Sequence, residues 1–108
     1  MLFTWACEAQ WYQYLFGDTI NEALLLLPRG GALASFGPAG ITDPARQEVL
    51  RRKLYGLLLG KGLSLGEAIQ RAKAEALAED ARTRTVVEGW NLLGDPALRF
   101  DEPRGARR

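Results

Sequence analysis

Apolar runs alternate along the chain with short stretches rich in glycine, proline and charge. Residues 2–6 are apolar, β-branched or aromatic and predict a short buried strand. Residues 7–17 are rich in aromatics and end on Gly17; they read as a loop, with a short helix as the alternative. Thr19 and Glu22 then have the spacing of a helix-starting capping box, with Asp18 as an alternative cap. Leu24 to Leu27 carry that helix forward, and four consecutive leucines predict one buried nearly all round, stopped by Pro28 and Gly30-Gly31. Residues 32–36, small alternating with large, predict a second strand pressed from both faces. Gly37-Pro38-Ala39-Gly40 forces a loop.

Asp43-Pro44 has the cap-then-proline signature of a helix start. Val49, Leu50, Leu54, Leu57 and Leu58 form one stripe of that helix, which runs to about Leu59, while Arg46, Glu48, Arg52 and Lys53 fall mostly outside it. Ser64 and Glu67 repeat the capping box. Leu65, Ala68, Ile69, Ala72, Ala76 and Leu77 make a narrow stripe suited to close packing. This second long helix fades near Asp80 to Arg84. A turn at Gly94-Asp95-Pro96 precedes a predicted terminal strand at residues 97–100, and residues 101–108 read as a disordered tail.

The predicted order is β-α-β-α-α-β, an α/β fold with parallel strands joined by crossovers. Three short strands make a small sheet when both faces need cover. The chain therefore reads as part of something larger, or as one that pairs with a partner. A strand that begins without a lead-in points the same way.

Composition narrows the chemistry. The chain has 108 residues, 14 basic and 13 acidic, for a net charge of +1. That balance does not suit a phosphate-driven nucleic-acid binder. Its 47% hydrophobic and 25% charged content is that of a globular domain. No apolar run approaches the ~20 residues of a membrane-spanning helix, and the apolar start lacks the basic residues of a signal peptide. With one cysteine there is no internal disulfide framework and no Cys-cluster zinc site. With no histidine, the chain itself holds no imidazole base or ligand. No cofactor or metal is expected. Gly37-Pro38-Ala39-Gly40 lacks the pattern of a phosphate-binding loop.

Five blocks, in order, carry a likeness. They are the strand ending in Ala6-Cys7 with Ala9-Gln10-Trp11, then Asn21-Glu22-Ala23-Leu24, and then Gly30 through Pro38. Ser64 through Ile69 with Ala72-Lys73 is the fourth, and Trp90 through Arg99 the last. Together they resemble the C-terminal half of the catalytic domain of gingipain-type cysteine peptidases, peptidase family C25, over roughly nine tenths of the chain. The resemblance implies residues 1–100 as a C-terminal segment of such a domain. It also implies a partial caspase-like three-layer sandwich, a short, mostly parallel sheet with helices on both faces. A related caspase-like module fused to helical repeats is similar, but the Leu-Leu-Gly-Asp-Pro ending favours the gingipain type.

By position, Cys7 matches the family's nucleophile. In the family a His-Gly pair after the preceding strand supplies the base and part of the oxyanion hole, and no His is present here. Ile41-Thr42-Asp43-Pro44 lacks the aromatic residue that walls the specificity pocket of characterised members, so no preference for Arg or Lys is carried over. The implied function is proteolysis through Cys7 on a peptide or protein substrate, once a missing N-terminal half supplies the base. The alternative is a catalytically dead remnant acting as an interaction or structural module. An open sheet edge further predicts self-association. Family members are mostly secreted or surface-bound, which leaves the compartment open for a chain without an export signal.

Other residues have plainer readings. An isolated cysteine is ordinarily a buried, inert one. Glu8 reads as a solvated neighbour of Cys7, Glu22 as a capping residue and Asp95 as a turn residue. Trp5, Trp11, Tyr12, Tyr14 and Phe16 read as a mixture of core and cleft lining. Arg46, Arg51, Arg52 and Lys53 read as a solvated helix face.

Overall fold

The computed structural model describes residues 2–3, 17–59 and 61–99. Among these, three strands form one sheet in the order β1–β2–β3, with β1 at Leu2–Phe3, β2 at Ala34–Pro38 and β3 at Trp90–Gly94. Four α-helices accompany them: α1 at Ile20–Leu26, α2 at Pro44–Leu58, α3 at Leu65–Glu79 and α4 at Arg84–Gly89. A 3-10 turn at Ala81–Thr83 joins α3 to α4.

The helix starts follow their local chemistry. Both capping boxes are complete: the Thr19 side chain accepts from the Glu22 amide and the Ser64 side chain from the Glu67 amide, with each glutamate reaching back to the cap amide. Asp43 caps α2 through Ala45 N at 2.9 Å, with Pro44 in the first turn. The apolar stripes of α2 and α3 meet as the chain's main helix pair. Leu50, Leu54, Leu57 and Leu58 of α2 are buried with Leu65, Ala68, Ile69, Ala72 and Ala76 of α3. Alanines at three of those positions let the helix axes come close. Ala34 and Phe36 of β2, Val86 of α4 and Trp90 of β3 complete this core.

Every residue of β2 is buried. Phe36 points into the core, and Ser35, on the opposite face, is fully buried as well, so both faces of this strand are covered. Phe3 of β1 meets Tyr55 of α2 edge-on, with ring centroids 5.6 Å apart.

The sheet departs from the mostly parallel expectation. β1 and β2 are parallel, with Leu2 opposite Ser35 and Phe3 opposite Phe36. The longer pairing, β2 with β3, is antiparallel, from Ala34 opposite Gly94 to Pro38 opposite Trp90. The reason lies in the connection. One helix after β2 would return the chain to the start of the strand and give a parallel neighbour. Here α2 and α3, each 15 residues or about 22 Å long, cross the molecule twice. The chain is thus delivered to the end of β2 that it left, where the Ala39 amide donates to the Gly89 carbonyl at 2.9 Å.

Local expectations are also revised. Among the described residues the last strand lies before the Gly94-Asp95-Pro96 turn, at Trp90–Gly94; of the predicted residues 97–100, Ala97 to Arg99 form no strand beyond an isolated bridge of Arg99 to Ser64, and Phe100 lies outside the described residues. Helix α3 ends at Glu79, where the sequence has it fade, and the chain goes on through the 3-10 turn into α4, which the sequence does not predict. Helix α1 is not buried all round: Asn21 is its buried residue, while Leu26 and the following Leu27 are exposed. The second strand is shifted two residues along from the predicted 32–36. The start of that strand depends on Gly31, where a Cβ would stand 2.2 Å from the Leu24 carbonyl oxygen. That contact lets the Ala32 amide close onto the same carbonyl at 3.0 Å. The predicted tail, residues 101–108, lies outside the described residues, as does the predicted loop apart from Gly17.

Candidate active site

Open α/β sheets bind ligands beyond the C-terminal ends of their parallel strands. In this chain that end is where β2 finishes at Gly37-Pro38 and where the parallel strand β1 heads. Cys7 follows Phe3 by four positions in sequence. It lies outside the described residues, as do Glu8 and the aromatics Trp5, Trp11, Tyr12, Tyr14 and Phe16.

The described residues supply the framework around this end. The segment from Ala39 to Asp43 leaves β2 and enters α2. Ile41 is 79% exposed, yet the next residue, Thr42, is only 7% exposed. The Thr42 hydroxyl oxygen accepts from the Gln47 side-chain amide at 2.5 Å and from the Trp90 indole N–H at 3.4 Å. Gln47 also donates to the Thr42 carbonyl at 3.4 Å. Gln47 and Trp90 are themselves buried. One hydroxyl therefore joins the loop to α2 and to β3.

Trp90 is held from two further sides. Its ring packs on Phe36 with centroids 5.3 Å apart. Its carbonyl oxygen accepts from the Lys73 ammonium of α3 at 2.5 Å, and that ammonium also stands 5.8 Å from the Phe36 ring centroid. Burial pushes the Lys73 pKa below the ordinary lysine value. Neither Thr42, Gln47 nor Lys73 stood out in the sequence as a site residue. A lone threonine in a loop and a lysine on a helix carry no spacing signal, and only the tertiary fold brings them to one strand end.

The other candidate residues have structural roles. Glu22 completes its capping box, its carboxylate accepting from the Thr19 amide and hydroxyl, each at 2.8 Å. Asp95 forms the turn, accepting from Ala97 N at 2.8 Å. Arg51 pairs with Glu48, and Arg52 and Lys53 both approach Glu79, as a charged helix face should. Arg46 differs in reaching Asp80 at the end of α3 at 2.7 Å, so it pins α2 to the turn before α4. Among the described residues no group of three or more His, Cys, Asp or Glu side chains could hold a metal ion.

Neither a curated protein nor a solved structure matches this chain. The model of peptidase family C25 matches residues 1–101, from β1 through the turn after β3. With nearly the whole chain covered, it belongs to peptidase family C25.

Proposed function

We propose that this chain is the nucleophile-bearing, C-terminal part of a gingipain-like cysteine endopeptidase domain with a caspase-like fold, and that Cys7 is its nucleophile. The parallel pairing of β1 with β2 carries the reading. At Phe3, four positions before Cys7 in sequence, β1 runs in the direction of the strand end where α/β folds bind ligands. Membership of family C25 supports the same chemistry.

In this reading the Cys7 thiolate adds to a peptide carbonyl. The tetrahedral intermediate then expels the amine, which takes a proton from an imidazolium, and water hydrolyses the resulting acyl-enzyme. The sequence has no histidine, so the base comes from outside these 108 residues, either from further sequence of the same polypeptide or from another chain. The same lack of histidine favours one second reading, a catalytically inactive domain that serves as an interaction or structural module, self-associating through a sheet edge.

Mass spectrometry of the native polypeptide from its source cells, with peptide cleavage assays on that polypeptide, tests the proposal. A strand and a His-Gly pair in the mature product, together with cleavage abolished by Cys7→Ala, support it. Cleavage that survives Cys7→Ala overturns the nucleophile assignment. A Cys7 thiol that reacts with iodoacetamide only as an ordinary thiol of pKa about 8.5 does, in the complete protein, favours the inactive module.

A further inference from the structure

We infer that Thr42 is a positioning residue for this site: its hydroxyl holds the loop between β2 and α2 in one arrangement, and that arrangement shapes the surface a bound peptide meets. The inference rests on the peptidase reading for its functional half. Its structural half rests on the junction itself.

The loop changes from one of the most exposed apolar side chains in the described structure, Ile41, to a buried hydroxyl at the very next residue. Simple packing does not require this. Valine has the shape of threonine, and α2 already has its cap in Asp43. The site instead carries a polar group with two buried donors directed at one oxygen, Gln47 Nε2 at 2.5 Å and Trp90 Nε1 at 3.4 Å. An apolar contact tolerates sliding, whereas a fully partnered buried polar junction has one low-energy geometry. The junction joins the loop to two separate elements, α2 and β3, at the strand end where a ligand is expected. The loop is otherwise tied on this side through the Ala39 amide to the Gly89 carbonyl. Gly89 also packs near Thr42, where a Cβ would stand 3.6 Å from the threonine methyl carbon.

Two measurements on Thr42→Val and Thr42→Ser, made in the complete native polypeptide, test this. Hydrogen exchange reads the loop directly. Thr42→Val should speed exchange of the amides in residues 39–43 about tenfold, leave peptides from the middle of α3 unchanged, and be reversed by Thr42→Ser. Peptide cleavage reads the function. Thr42→Val should raise KM about tenfold with kcat and the alkylation rate of Cys7 held within about twofold, the pattern of lost substrate binding and intact chemistry. If Thr42→Val does not fold, Gln47→Leu removes the same tie from its other end and should give the same pattern. Unchanged loop exchange overturns the proposal, as does a loosened loop with unchanged KM, or a fall in kcat that matches a general loss of folded protein. Failure of the peptidase reading is seen separately, as cleavage that survives Cys7→Ala, and the exchange experiment still decides the role of Thr42 in the loop.

Discussion

The Lys73 ammonium donates to the Trp90 carbonyl at 2.5 Å, and the register of the sheet explains why that carbonyl needs a donor. Ala39 and Gly89 share a backbone hydrogen bond in line with the β2–β3 ladder, so hydrogen-bonded pairs recur at Gly37–Asn91 and Ser35–Leu93. Pro38 and Trp90 then form a pair that does not exchange bonds, which spares the proline its missing N–H on the β3 side. The Trp90 amide and carbonyl face the outer edge of β3. There the amide bonds the Val86 carbonyl as α4 ends, and Lys73 takes the carbonyl. Lysine at a sheet edge also discourages pairing with another strand.

Lys73→Met should therefore cost about 1–2 kcal/mol at neutral pH, the net value of a hydrogen bond from a charged donor less its desolvation. The pH dependence has a definite sign. Burial lowers the lysine pKa in the folded state below its ordinary 10.5, so between the two values the unfolded chain binds more protons than the native one. Stability from this residue rises with pH across that alkaline window. Denaturant unfolding of both proteins across the window should show the gap between wild type and Lys73→Met widening as pH approaches 10.5. A gap that narrows would show that the charged form is favoured by folding.

The elements that sequence reading anticipated are those whose causes are local. Thr19 with Glu22 and Ser64 with Glu67 form capping boxes because three residues of spacing suffice. The stripes of α2 and α3 follow from helical period. The direction of β3 was not legible, because it depends on how many times the chain crosses the molecule between strands. Helix α4 was hidden by Thr85, Val86 and Val87, which favour strands intrinsically, and by Gly89. At the site, the likeness to the C25 family rested on blocks of sequence and agrees with the family match. The Thr42, Gln47 and Trp90 junction spans 48 residues and has no pattern that a sequence could display.

Gly94 should be the least replaceable residue of the turn after β3. Its φ of 133° lies where side chains are strained, and a Cβ there would stand 2.7 Å from the Ala34 Cβ and 2.9 Å from its Cα. Neither neighbour can swing away, because Ala34 is a fully buried position in β2. Gly94→Ala should lose about 2–4 kcal/mol, from overpacking and backbone strain together. Urea unfolding checks this, and a loss below about 1 kcal/mol would mean that the β2–β3 ladder ends before this pair.

The Ser64 cap can be separated from the packing around it. Its hydroxyl accepts from the Glu67 amide at 3.3 Å, and the Glu67 carboxylate accepts from the Ser64 amide at 2.8 Å. The hydrogen bond from the Ser64 amide, with the Ser64 side chain adding to it, holds the Glu67 pKa below the usual carboxylate range. Ser64→Ala should destabilise by about 1 kcal/mol. Ser64→Asp should recover most of that loss, since aspartate serves the same amide. Thermal melts of the three proteins give the comparison, and equal stability of Ala and Asp variants would show that the box contributes nothing.

Asp80 gathers the turn between α3 and α4. Its carboxylate accepts from Arg82 through the backbone amide at 2.9 Å and through the guanidinium at 3.1 and 3.2 Å, and from Arg46 of α2 at 2.7 Å. The hydrogen bonds from Arg82, foremost those of its side chain, pull the Asp80 pKa below the ordinary 3.8, with the charge of Arg46 adding to them. A carboxylate whose pKa is lowered by folding contributes stability above its unfolded pKa and loses that contribution as pH falls through the folded value. Asp80→Asn keeps a capping oxygen but loses the charge. It should be less stable than wild type near pH 7, and the difference should shrink once the pH falls below about 3.8. Arg46→Gln should reproduce part of the neutral-pH loss and little of it on the Asn background, because the two changes remove one ion pair. Urea midpoints for the four proteins at neutral and acid pH make the test. Additive losses at neutral pH would mean that α2 is held to this turn by packing alone.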